Sequence, residues 1–338
     1  EMFGGYTAFI VWCSFIHIYG AYAFSVDEEA LIAIKASIHE DPLGLLSDWK
    51  KGTDPCTWKG VRCDSASRVI SLTITSRSVS EGSGMFFPSE DARNHGSTSE
   101  ATVNHGSTSE DAVNHGSTSE ATTNHHIYRT PGMLDLNSSP YTRQRLDMRR
   151  CELRALQSSS EASTMAKLSG TISPAIGNLS RLRILSFPCN SFFGEIPDEI
   201  SALMNLEWID LAENEMSGSI PRGIGRLSGL KHINLAYNAF EGKLPTTISC
   251  LQKLKVLNVA GNRLSGEVGI SLGKLPELEV LDISSNLFVG TIPLDITGDC
   301  HKLVHVHMEN NFLTGRIPSD FGRCPCLKTL KVSSNLLT

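Results

Sequence analysis

The 338-residue chain is 40% hydrophobic and 20% charged, the composition of an ordinary globular protein with enough apolar material for a core. Its formal net charge of −6 and the lack of any Lys/Arg block argue against nucleic acid or an anionic membrane surface as the main partner.

The first predicted element is an address. "YTAFIVWCSFIHIYGAYAF" (Tyr6 to Phe24) is an apolar run that ends in the small-x-small tripeptide Ala21, Tyr22, Ala23. It reads as a secretory signal over 1–23, cut after Ala23. A signal anchor kept in the bilayer is the alternative, because the run approaches spanning length. No other stretch of the sequence could span a bilayer.

A capping domain follows over 24–67. Ser25 and Glu28 fit the S-x-x-E of a capping box, and Leu31, Ile34 and Ile38 recur at helical spacing. Within "DWKKGTDPCTWKGVRC", Cys56 and Cys63 lie seven residues apart, which predicts a local disulfide in an oxidising compartment. A metal pair would need further Cys or His ligands nearby, and the segment offers none.

"RVISLTI" (Arg68 to Ile74) reads as a first solenoid strand, placed in 68–78. From 79 to 165 the pattern breaks. "NHGSTSEATV", "NHGSTSEDAV" and "NHGSTSEATT" are three near-identical copies starting at Asn94, Asn104 and Asn114. They hold too little apolar surface to offset ordering, so 79–165 is expected to be a disordered, low-complexity insertion. His95, His105 and His115 could chelate metal only weakly, and a duplicated spacer or a translated intron is the preferred reading. "LSGTISPAIGNL" (Leu168 to Leu179) continues the turn begun at Arg68, so the insertion loops out of one repeat.

The remaining region, 166–338, is periodic. Asn190, Asn214, Asn238, Asn262, Asn286, Asn311 and Asn335 recur every 24 residues, with one unit of 25. That period with L-x-x-L-x-L-x-x-N is the leucine-rich-repeat signature. The fold class is therefore an α/β solenoid of plant-type leucine-rich repeats, with a helical, disulfide-bearing N-terminal cap. In the unit ending at Asn238, Leu230, Ile233 and Leu235 point inward. Each Asn is expected to bond backbone groups of neighbouring turns that would otherwise be buried unpaired. "GKLP", "GTIP" and "GRIP" supply Gly for a backbone bend and Pro where no amide donor is needed. The turns should stack about 4.8 Å apart into a curved array.

Strand residues that alternate with the buried ones face the concave side. Counting back two, four and six from each Asn finds them. The candidate ligand-binding residues are Trp208, Asp210, His232, Asn234, Asn258, Asp282, His305, His307, Glu309 and Lys331, together with Tyr237 in a turn. Small residues such as Ala212, Ala236 and Ala260 lie among them. Such a surface suits an extended peptide or a protein, with Trp208 and Tyr237 as anchors; ordinary solvated strand residues are the bland alternative. His305, His307 and Glu309 on one strand face raise a metal site, but polar residues are expected there anyway, and no metal or cofactor is assigned.

There is no G-x-S-x-G, H-E-x-x-H, P-loop or kinase motif, so the chain itself is not expected to be a catalyst. Cys300 and Cys324 occupy equivalent positions in adjacent turns, where a bridge and stacked free thiols both remain open; Cys151 has no obvious partner. Sequons at Asn137 and Asn178 agree with a secreted route.

The capping helix, "DWKKGTDPCTWKGVRC" and repeats of the form L-S-G-x-I-P-x-x-I-G-x-L resemble the extracellular part of plant leucine-rich-repeat receptor-like kinases. "LRILSFPCNSFFGEIP" and "DCHKLVHVHMENNFLTGRIP", with an insertion after the first strand, further resemble the TOADSTOOL-type receptor-like protein kinases. The resemblance implies a plasma-membrane receptor whose ectodomain senses a ligand or pairs with a co-receptor ectodomain. A cytoplasmic Ser/Thr kinase would report binding, in meristem, anther and embryo development. Peptide receptors of the wider family hold a peptide carboxylate with a concave Arg pair. No R-x-R stands on that face here, since Arg181 and Arg183 precede it. The spanning helix and kinase expected of such receptors do not follow within the sequence, so a fragment of a longer protein is the expectation. A secreted receptor-like protein, or an inhibitor of a pathogen enzyme, is the alternative.

Overall fold

The computed structural model describes residues 26–76, 167–268, 272, 275–293 and 300–338. The signal segment, Ser25, the insertion with Cys151, and the Asn137 sequon lie outside the described residues.

A helix over 26–36 opens the cap and buries Leu31 and Ile34. It ends where the Ser37 amide and hydroxyl both donate to the Ile34 carbonyl, at 3.1 and 2.7 Å. Ile38, expected on the helical stripe, instead starts the strand Ile38–Glu40 and pairs with Gly170. The approach there is close, since a Cβ on Gly170 would sit 2.4 Å from the Ser37 carbonyl oxygen. Glu28 accepts from the Gly52 amide and so ties the helix to the following loop. Trp49 and Trp58 stack at 5.5 Å between centroids, and Cys56 is bonded to Cys63.

Asp27 joins this cap to the repeats. Its buried carboxylate accepts from Arg68 Nε at 2.9 Å, Arg68 Nη2 at 3.0 Å and the Val69 amide at 2.9 Å. Arg68 Nη2 also reaches Ser180 Oγ at 3.1 Å, in the next turn.

Val69–Thr73 pairs in parallel with Ile184–Ser186, and the same step repeats through Trp208–Asp210, His232–Asn234, Val256–Asn258, Val280–Asp282, His305–His307 and Thr329–Lys331. With Val61–Cys63 antiparallel at one edge, these make a nine-stranded sheet. A second, parallel sheet runs through Glu241–Lys243, Arg263–Glu267, Leu287–Thr291, Phe312–Gly315 and Leu336–Leu337. A further four-stranded sheet, Ile38–Glu40, Ser169–Gly170, Ser191–Gly194 and Glu215–Met216, belongs to the N-terminal turns, and the core runs through all the repeats. Leu206, Ile209 and Leu211 of one repeat stack on Leu230, Ile233 and Leu235 of the next, all at 0–1% exposure. Short 3-10 helices such as Pro174–Asn178 and Arg222–Arg226 close the other side of each turn.

The asparagine column does what the repeat pattern requires. Asn262 Nδ2 donates to the Leu235, Val259 and Ala260 carbonyls at 3.0, 3.0 and 3.2 Å, and its Oδ1 accepts from the Phe240 amide at 3.0 Å. Asn214, Asn238, Asn286, Asn311 and Asn335 make the same set with their own neighbours. The residue before each Asn is left-handed: Cys189, Glu213, Tyr237, Ser285, Asn310 and Ser334 have φ of 54–61°, and Gly261 65°. Cys300 and Cys324 are disulfide-bonded across adjacent turns, which closes the alternative left open by their spacing. Cys189 is also disulfide-bonded, whereas Cys250 and Cys326 are exposed free thiols. Among the described residues no helix is long and apolar enough to cross a membrane.

Candidate ligand-binding face

The register of the large sheet sorts its outward residues into three rows. The first holds Ile184, Trp208, His232, Val256, Val280, His305 and Thr329. The second holds Ser186, Asp210, Asn234, Asn258, Asp282, His307 and Lys331 by the same pairings. Two residues beyond the strands a third row follows, small at Ala212, Ala236, Ala260 and Ser284 and acidic at Glu309. Ten of the eleven candidate residues therefore fall on one sheet face. Tyr237 stands beside it in a turn, 54% exposed, with its ring over Gly261.

Parallel strands bring like-facing side chains together every few ångströms. Trp208 stacks on His232 with centroids 3.6 Å apart and planes 7° from parallel. Asp210 Oδ1 accepts from the Ala212 amide at 3.2 Å and from Asn234 Nδ2 at 3.0 Å. Asn258 Oδ1 accepts from the Ala260 amide at 3.1 Å. Asp282 accepts from the Ser284 amide and hydroxyl at 3.1 and 2.6 Å, and lies 3.4 Å from His307 Nδ1. His305 Nδ1 is 3.0 Å from Thr329 Oγ1, and Lys331 Nζ is 3.9 Å from Glu309 Oε1. The two histidines thus turn to different partners, and among the described residues no three His, Cys, Asp or Glu side chains converge as a metal site.

Asp210, His232, Asn234, Asn258 and His307 are buried, whereas Trp208, Asp282, His305 and Glu309 are half-buried and Lys331 is exposed. Burial pushes the Asp210 carboxyl up to about 6 and the His232 imidazole down to about 3. At Asp282 burial also acts upward, but the hydrogen bonds from His307 and Ser284 outweigh it and hold the carboxyl below its ordinary value. Both ring nitrogens of His232 and the hydroxyl of Ser186 are buried with no hydrogen-bond partner, each an omission that ordinarily costs about 1–3 kcal/mol. Ser186 stands four residues before Asn190, so the repeat pattern itself puts it on this face.

These values fix a pH dependence. The folded state holds the Asp210 proton up to about pH 6, whereas the unfolded chain loses it near the ordinary value of 3.8. Stability from that proton is therefore full below the unfolded pKa and lost as pH rises through about 6. Asp210→Asn keeps the Oδ1 acceptor and removes the charge. Its gain over the parent in urea unfolding should grow from near zero at about pH 3 to about 3 kcal/mol at pH 7. A gain that does not vary with pH would sink this account. His232 has the opposite sign, because its lowered folded pKa makes the unfolded chain take up the proton first as pH falls, and it is common to both proteins.

Comparison with known families agrees with this geometry. The leucine rich repeat N-terminal domain matches residues 25–64, a leucine-rich repeat region matches 152–291, and a further leucine rich repeat matches 302–324. The probable LRR receptor-like serine/threonine-protein kinase RPK1 of Arabidopsis thaliana is 29% identical over 190 residues, covering 56% of this chain and 23% of that protein. Receptor-like protein kinase BRI1-like 3 of Arabidopsis thaliana is 47% identical over 51 residues, 14% of this chain and 4% of that one. This chain thus spans under a quarter of the length of either relative. The crystal structure of PEPR1-AtPEP1 shares the fold, with a TM-score of 0.62 at 24% identity over 92% of this chain and 32% of that one. By its N-terminal domain, its repeats and its stacked parallel sheets, the chain belongs to the leucine-rich-repeat family.

Proposed function

We propose that this chain is the ligand-sensing or co-receptor ectodomain of a plant receptor-like Ser/Thr kinase of the TOADSTOOL type in developmental signalling. It binds an extended peptide or a protein surface across the outward rows of the large sheet, on the extracellular side of the plasma membrane. The observation that carries this is the second row: Asp210, Asn234, Asn258, Asp282 and His307 form a continuous line of hydrogen-bonding side chains, beside the small Ala212, Ala236 and Ala260, which are 0–3% exposed. A backbone can approach small residues closely, while the adjoining Asp, Asn and His side chains set its register. The Cys56–Cys63 and Cys300–Cys324 bridges fit an oxidising compartment. Asn178 is exposed at the end of its 3-10 helix, where a glycan of the secretory route would project without entering the core.

A displayed library of random 12-residue peptides, panned on the full chain, tests the reading. Selected peptides should bind by calorimetry, and Ser284→Phe, which sets a ring beside that line, should weaken them tenfold or more while its far-UV circular dichroism stays that of the parent. Arg226→Ala, exposed on the opposite side of the turn, should leave affinity as it was. Peptides indifferent to Ser284→Phe but sensitive to Arg226→Ala would remove the face from consideration.

A further inference from the structure

Three adjacent strands, Ile184–Ser186, Trp208–Asp210 and His232–Asn234, bring together an unusual set of unused hydrogen-bonding groups. The register sets Ser186 beside Asp210, Asp210 beside Asn234, and Trp208 beside His232. Ser186 Oγ, His232 Nδ1 and His232 Nε2 are buried and unpartnered. Asp210 is buried too, and its partners among the described residues are the Ala212 amide and the Asn234 carboxamide, both neutral. The basic side chains at the neighbouring strand starts are engaged elsewhere: Arg183 and Lys231 lie 2.6 and 2.9 Å from Glu207, and Lys255 lies 3.2 Å from Glu279.

Native proteins pair nearly all buried polar groups, so a group of them left unpaired on an outward sheet face marks a place for something else to bind. Ser186 and His232 each offer a donor and an acceptor, and the Asp210 carboxylate, an acceptor only, tips the site toward a ligand donor. Burial keeps the imidazole neutral at pH 7, which leaves one ring nitrogen with a free lone pair. The serine oxygen offers more, and the carboxylate lacks a countercharge. A ligand carboxylate would meet Asp210 first, with Asp282 and Glu309 farther along the same face. A neutral amide would leave the carboxylate uncompensated.

We infer that Ser186, Asp210 and His232 receive a positively charged hydrogen-bond donor of the bound peptide, namely a lysine or arginine side chain or a free amino terminus. This rests on the outward rows being a peptide-binding face.

The test uses peptides selected on the full chain as above, resynthesised with arginine replaced by citrulline, lysine by norleucine, or the amino terminus acetylated. One such neutralisation should weaken binding tenfold or more. Asp210→Asn should weaken the parent peptide by a similar factor, and in that variant the same neutralisation should cost less than twofold. Ser186→Ala and His232→Phe should each weaken the charged peptide and leave its neutral version unchanged. The inference falls if the neutralised peptides bind as well as the parents, or if their loss is as large in Asp210→Asn as in the unmodified protein. The wider face reading still stands in that case, provided Ser284→Phe abolishes binding. If no peptide binds the chain at all, both fall together. Circular dichroism of each variant controls for folding, and Asp210→Asn is expected to be the more stable protein at pH 7.

Discussion

Asn262→Asp is expected to lower stability by roughly 4 kcal/mol at pH 7, although it exchanges one nitrogen for one oxygen. The parent amide gives three donations to the Leu235, Val259 and Ala260 carbonyls. The carboxylate gives none, and it places a charge that is 8% exposed against three carbonyl oxygens. Only the acceptance from the Phe240 amide survives. Asn262→Ala removes all four bonds without adding charge, and about 3 kcal/mol is expected. The aspartate should recover part of its deficit at pH 4, where protonation restores one donor; the alanine should not. Urea unfolding of both variants at the two pH values distinguishes them. A pH-independent difference between them would show that this amide position is not sealed from water. Hydrogen exchange should place the damage near Asn238, Asn262 and Asn286, because each turn leans on its immediate neighbours.

Asp27→Ala is the second large effect, at about 3 kcal/mol. The carboxylate is 1% exposed and takes two guanidinium bonds and one amide bond, so its loss strands the Arg68 side chain and the Val69 amide together. Hydrogen bonding to Asp27 is the main reason that Arg68 has a raised pKa. The same change at the exposed Arg323–Asp320 pair should cost under about 0.5 kcal/mol. Near-UV circular dichroism reports the cap through the stacked Trp49 and Trp58. Its signal should melt before the far-UV signal of the repeats in Asp27→Ala, and coincident melting would deny the carboxylate its joining role.

Some of this was legible before any coordinates. The 24-residue period announces the stack, and an Asn at the end of each L-x-L strand needs a buried backbone to bond, which Asn262 finds. Alternation put Trp208, His232 and Asp210 on one face. What the letters withheld depends on residues that meet only across turns. The Trp208–His232 stack joins positions 24 apart, and nothing local to either signals it. The same holds for His307, whose Nδ1 lies 3.4 Å from Asp282 Oδ2, 25 residues earlier in the chain. The second parallel sheet was also hidden, because its strands are short, with Glu241–Lys243 exposed throughout and Arg263–Glu267, Leu287–Thr291 and Phe312–Gly315 each burying a single residue, too little for a period-two pattern. Ile38 was misplaced because helical spacing alone ignores the Ser37 hydroxyl that ends the helix.

The left-handed residue before each asparagine has a consequence for how such a chain can change. At Cys189, Glu213, Tyr237, Ser285, Asn310 and Ser334 the backbone bears a conformation that side chains disfavour by about 1 kcal/mol or more. A disulfide-bonded cysteine, a carboxylate, a phenol, hydroxyls and an amide all sit there, so the turn accepts side chains of varied chemistry. Each repeat therefore carries a socket in which a new side chain can be tried, one generation at a time, at the margin of the outward rows. Tyr237 is the largest group held that way, and its ring reaches over Gly261 of the next turn.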